Sequence, residues 1–76
     1  MITNEQTKMV GKYLRKLRLN KDIRQAELAK HLGITEQAYS AYERGLRIPR
    51  DETKLKIAEL YGLTVDDIFF RPMITK

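Results

Sequence analysis

Between Met9 and Leu17 the apolar residues Met9, Val10, Tyr13, Leu14 and Leu17 recur at i, i+1, i+4, i+5 and i+8, the spacing of one helix face. Lys8, Lys12, Arg15 and Lys16 fall on the opposite, wet side. Thr3-Asn4-Glu5-Gln6 has the form of a capping box, so the spacing predicts a helix from as early as Asn4 to Leu19. Asn20, Lys21 and Asp22 punctuate its end. A second helix is expected over Gln25–Leu32, with Ala26, Ala29 and Leu32 as its inner stripe, Leu28 beside it, and Gly33 stopping it. Thr35 then caps a third helix running to about Arg44. Its inner face is Ala38, Tyr39 and Tyr42, and Glu36, Gln37, Ser40 and Ala41 point outward. After a loop through Pro49, a fourth helix spans Asp51–Tyr61 and ends at Gly62. Thr64-Val65-Asp66-Asp67 is a capping box with Asp in place of Glu, opening a short fifth helix through Phe70 that Pro72 closes. Strand alternation and internal repeats are absent from the pattern. Five short helices joined by tight turns give an all-α fold.

Size and charge refine this picture. The 76 residues suffice for one domain, and such a domain hides only about 60% of the surface that its unfolded chain exposes. Without cysteine, no disulfide or thiolate metal site supplements the 42% hydrophobic content. Stability therefore has to come from core packing and, by expectation, a subunit interface. No apolar run approaches the roughly 20 residues that cross a bilayer, and the N-terminus lacks the order of a secretory signal. A cytoplasmic location without membrane association is expected. The net charge of +5 is uneven: residues 1–24 carry +5, residues 25–50 carry +1 and residues 51–76 carry −1. A basic first third suits a polyanionic partner or a merely solvated helix face, and charge alone does not choose between them.

The order of the helices does choose. Two helices joined by a short turn around Gly33 have helix-turn-helix geometry. The stretch QAELAKHLGITEQAYSAYERG, residues 25–45, resembles the helix-turn-helix of phage Cro and repressor proteins and of the bacterial xenobiotic-response-element family. The resemblance rests on Gln25, Leu28-Ala29, Gly33, Ile34, Thr35, Tyr39, and Glu43 followed by Gly45. Arg18, Pro49, Ile57-Ala58, Leu63 and Ile68 extend it over roughly residues 12–70, leaving 71–76 as a C-terminal tail. The fold so implied is a five-helix, lambda-repressor-like DNA-binding domain with its helix-turn-helix at 25–44.

The resemblance also implies roles. Arg18 and Glu43 correspond to an ion pair tying the first helix to the end of the third. The third helix lies in the major groove of double-stranded DNA, with Thr35, Glu36, Gln37, Ser40 and Ala41 facing bases. Gln37 suits adenine, Glu36 the amine of cytosine, and Ala41 a thymine methyl. Phosphates fall to Arg24, Gln25, Tyr42, Arg44, Arg47 and Arg50, with Lys12 and Lys21 as weaker candidates. Lys54 stands where the family usually buries a leucine. Leu55 offers a substitute if the fourth helix rotates, which leaves that register open.

The segment IFFRPMITK, residues 68–76, is apolar for a chain end. Ile68, Phe70, Met73 and Ile74 are expected in a homodimer interface, against the alternative that Phe69 and Phe70 fold back on the core. A two-fold dimer would read a palindromic operator with recognition helices about 34 Å apart. The function implied is a sequence-specific transcriptional regulator, by expectation a repressor. The alternative is an antitoxin or protein-partner-binding module built on the same fold. Enzymatic activity, a cofactor and a metal are not expected: His31 is the lone histidine, and Asp66 and Asp67 read as helix-start acids. Nor is a small-molecule effector, since this length leaves no room for a sensor domain.

Overall fold

The computed structural model describes residues 4–71. Thr3 of the first capping box, Pro72, Met73 and Ile74 lie outside that range. The chain forms α1 (Asn4–Asn20), α2 (Gln25–Leu32), α3 (Glu36–Glu43), α4 (Asp51–Tyr61) and α5 (Val65–Phe69). The fold is all-α, and the helix limits agree with the hydrophobic spacing to within one residue. α3 and α5 each stop one residue early.

α1 sends Val10, Leu14 and Arg18 inward at i, i+4 and i+8, with Met9, Tyr13 and Leu17 half-buried beside them. The turn that follows it passes through Asp22, the one described non-glycine residue with a left-handed backbone (φ 59°). There the Ile23 N–H reaches back to the Arg18 carbonyl at 3.2 Å, closing the last turn. A left-handed backbone costs an L-residue about 1–2 kcal/mol, of which the extra chain entropy of glycine returns about 0.5–1. Asp22→Gly should therefore stabilise the domain by about 0.5–1 kcal/mol, read as a higher midpoint in urea at unchanged slope.

α2 and α3 pack around Gly33, whose φ of 73° lets the Ile34 N–H bond to the Ala29 carbonyl at 3.0 Å. Leu28, Ala29 and Leu32 enter the core from α2. Ala26 does not: it is exposed, because it sits in the first turn, past the edge of the core. Tyr39 of α3 is fully buried, and Tyr42 meets it edge-on with ring centroids 5.9 Å apart.

α4 contributes Ile57 and Ala58, and α5 contributes Ile68 and Phe69, so the core draws on every helix. The Thr64 hydroxyl accepts from the Asp67 N–H at 3.0 Å, and the Asp67 carboxylate accepts from the Thr64 N–H at 3.2 Å. Aspartate thus completes the reciprocal cap, and these bonds hold its carboxyl below the usual range. α4 keeps the register that the family pattern implies, without rotation. Lys54 points inward with its stem buried. Its ammonium lies 5.7 Å and 5.5 Å from the Phe69 and Phe70 ring centres and 3.8 Å from Asp51. Leu55 is left exposed.

Candidate nucleic-acid interface

The position of α3 is set by two close approaches. At the first, Gly11 of α1 faces the backbone of α3. A Cβ there would lie 2.4 Å from the Glu43 carbonyl oxygen and 2.6 Å from that of Tyr42. At the second, the Gly45 turn (φ 74°) packs on the backbone of Lys8. Gly11 was not singled out by sequence reasoning, although a glycine inside a helical pattern is the signal that would have found it.

Below this crossing lies a polar hub. Arg18 Nε donates to Glu43 Oε2 at 2.7 Å and Arg18 Nη2 to Glu43 Oε1 at 3.1 Å, a forked pair. Gln25 Nε2 donates to Glu43 Oε1 at 3.0 Å, and the Tyr39 hydroxyl to Glu43 Oε2 at 2.7 Å. Arg18 Nη1 donates to the Ile23 carbonyl at 2.9 Å. One carboxylate therefore joins α1, the start of α2 and the end of α3. Burial pushes the Glu43 pKa up, but the bonds from Arg18, Tyr39 and Gln25 outweigh burial and hold it below the ordinary value. Burial, reinforced by the bond to Glu43, drives the Tyr39 phenol far above its usual range, so it stays a donor. Burial and then the charge of Glu43 push neighbouring Tyr61 up to about 12.

The outward surface is polar and cationic. Thr35, Glu36 and Gln37 are exposed and Ser40 is half-exposed. The Thr35 hydroxyl oxygen caps α3 by accepting from the Ala38 N–H at 3.0 Å, which leaves its own proton to donate outward. Glu36, Gln37, Ser40 and Gln25 line one shallow depression. Arg24 stands exposed at the start of α2, and Arg44, Arg47 and Arg50 are exposed at and after the end of α3. An arginine cannot accept a hydrogen bond, so Arg24 does not cap α2 with its side chain. Glu27 instead accepts from the Arg24 N–H at 3.0 Å.

Three residues fall elsewhere than expected. Ala41 was placed outward, but it is only 8% exposed and belongs to the inner side of α3. It lies at i+3 from half-buried Ala38, on the flank of the inner stripe that Tyr39 and Tyr42 lead. Tyr42, a phosphate candidate, is likewise 8% exposed, its ring committed to the core. Ile68, a dimer candidate, is fully buried within its own chain and has no surface to offer. Of its partners, Phe70 is exposed, while Met73 and Ile74 lie outside the described residues. Phe69 folds into the core and Phe70 does not.

A helix-turn-helix family model matches residues 14–68. A cryptic phage CTXphi transcriptional repressor, RstR of Vibrio cholerae, is 35% identical over 60 residues, covering 79% of this chain and 54% of the relative. An HTH-type transcriptional regulator of Methanocaldococcus jannaschii, MJ0272, is 38% identical over 58 residues, covering 76% of this chain and 83% of that one. The chain spans about half the length of the first relatives it matches. In fold, it superposes on a solution structure of an SOS-response repressor, LexA of Eubacterium rectale, with a TM-score of 0.84 at 20% identity, covering 100% of this chain and 81% of that one. It also resembles the clp gene regulator ClgR of Corynebacterium glutamicum, with a TM-score of 0.77 at 24% identity, covering 88% of this chain and 71% of that one. The match across most of the chain, on top of the turn at Gly33 and the Arg18–Glu43 tie, places this protein in the phage-repressor-like, xenobiotic-response-element family of helix-turn-helix DNA-binding regulators.

Proposed function

We propose that the chain is a repressor that reads a palindromic operator as a homodimer by laying α3 in the major groove. One observation carries this reading: the outward face of α3 is polar, and exposed arginines adjoin it in the chain, Arg24 next to Gln25 of the same depression and Arg44, Arg47 and Arg50 at and after the end of α3. The middle supplies base-reading groups and the edges supply phosphate clamps.

Gln37 pairs its amide with adenine N6 and N7, and Glu36 accepts from cytosine N4. A carboxylate next to phosphates is unfavourable wherever that amine is missing, so Glu36 discriminates by penalising wrong sequences. Ser40 and the Thr35 hydroxyl complete the reading face. Gln25 grips a phosphate through its backbone N–H, since its side chain is engaged with Glu43. The dimer forms over exposed Phe70, with Met73 and Ile74 from the tail. The repressor outcome is suggested by the role in the name of the Vibrio cholerae relative.

The phosphate clamps are tested by the salt dependence of duplex binding, followed by fluorescence anisotropy. Each phosphate contact contributes about 0.9 to the slope of log affinity against log salt. Arg47→Ala should shallow the slope by about that amount, and an unchanged slope would remove Arg47 from the interface.

A further inference from the structure

We infer that the outer face of α1 docks an acidic, amphipathic helix of a protein partner, on the side of the domain away from the proposed DNA surface. This goes beyond the proposed function and does not depend on it. The site is an open groove of about 680 Å³ between α1 and the α5 end of the fold. Met9, Tyr13 and Leu63 give it an apolar floor, and Lys12 and Lys16 stand on its α1 rim. At the α5 rim, Arg71 lies 3.3 Å from Asp66 and 3.6 Å from Asp67, so charge there is locally balanced. The uncompensated charge is that of Lys12 and Lys16. Both are exposed, and neither has an ion-pair partner among the described residues.

Helix geometry places this face. Gly11 marks the side of α1 pressed against α3. At 3.6 residues per turn, Met9, Tyr13 and Lys16 point about 140–200° away from it. DNA held by α3 would leave these two lysines unneutralised, so part of the basic excess in the first third of the chain is not used by the proposed interface.

Shape and charge then select the occupant. A second depression, containing Arg15 and the 54%-exposed Leu19, shares Lys12 and Lys16 with the groove. Together they extend from Met9 to Leu19, about 15 Å or nearly three helical turns. That length, open along one side, fits a helix lying across apolar anchors better than an enclosed small molecule. A helix with leucine-like residues at i, i+3 or i+4 and i+7 covers the floor, and its flanking carboxylates meet Lys12, Lys16 and Arg15. A second copy of this chain fits less well, since it brings another net charge of +5.

The test is selection of displayed 16-residue helical peptides on the full chain, with excess duplex DNA present to occupy the α3 face. Recovered peptides should be rich in Asp and Glu with helically spaced apolar residues. They should shift the amide resonances of residues 9–19 and 63. Lys12→Gln with Lys16→Gln should weaken them at least tenfold, and Lys16→Gln alone should weaken them several-fold while changing duplex affinity less than about threefold. Recovery of neutral or basic peptides, insensitivity to the lysine changes, or shifts centred on α3 would each overturn the proposal. So would either of two other occupants: the chain's own tail, if Met73→Ser with Ile74→Ser raises peptide affinity tenfold, or a second copy, if the lysine changes dissociate a dimer. Loss of duplex binding with peptide binding retained would instead count against the DNA reading.

Discussion

Glu43→Ala should cost about 3–5 kcal/mol, because it strands the buried Arg18 guanidinium without its partner. In a domain of this size that loss lowers the thermal midpoint by more than about 10 °C. The same substitution removes the acceptor of the Tyr39 hydroxyl and of the Gln25 amide, so the loss spreads through three helices. Measurement is by thermal or urea unfolding monitored by circular dichroism. A loss below about 1 kcal/mol would mean that the pair is surface-like in strength. Because Glu43 has a lowered folded-state pKa, its contribution is fully present above the ordinary value of 4.5 and fades as pH falls through and below it. Glu43→Gln should therefore flatten the acid limb of the stability profile.

The second large effect is expected at Gly11, where two physical terms oppose each other. In a free helix, glycine to alanine is favourable by about 1 kcal/mol. Here the new methyl would sit 2.4 Å from the Glu43 carbonyl oxygen, against backbone that has no rotamer to change. Overpacking costs about 1–3 kcal/mol, and a contact this short on fixed backbone stands at the top of that range, so the steric term wins and Gly11→Ala destabilises by about 2 kcal/mol net. It also levers α3 away from α1, so duplex affinity falls along with stability. Gly33→Ala is the control: no atom lies within 4 Å of its added Cβ, and only the left-handed backbone objects. Its cost is about 1 kcal/mol, and α3 stays in place. Equal effects at the two glycines would show that α1 and α3 do not need their close approach.

These two sites also mark what the sequence could and could not convey. Long amphipathic spacing and punctuation by Gly33, Thr35, Gly62 and Thr64 made the helices readable, since caps and left-handed turns are local chemistry. Arg18 and Glu43 were found together only through the family resemblance, being 25 residues apart. That Gln25 bonds the same carboxylate is a fact of α2 meeting α3, invisible to any local pattern, whereas Tyr39 stands one turn before Glu43 on α3. Ala41 was misplaced because it lies on the flank of the inner stripe of α3, where helical spacing alone does not decide exposure. Lys54 defied its type by running its stem between core and surface and resting its charge on Phe69 and Phe70. Ile68 shows the limit of composition: an apolar chain end calls for burial, and the domain's own core supplied it.

Base reading by α3 is tested by selecting bound sequences from random duplexes with the native chain and with Gln37→Ala. The native chain should return a two-fold symmetric consensus. Gln37→Ala should lose preference at one base pair per half-site, by about 1–3 kcal/mol, with binding to unrelated duplex unchanged. A native selection without consensus, or a Gln37→Ala chain weakened equally on every sequence, would show that α3 does not read bases through Gln37.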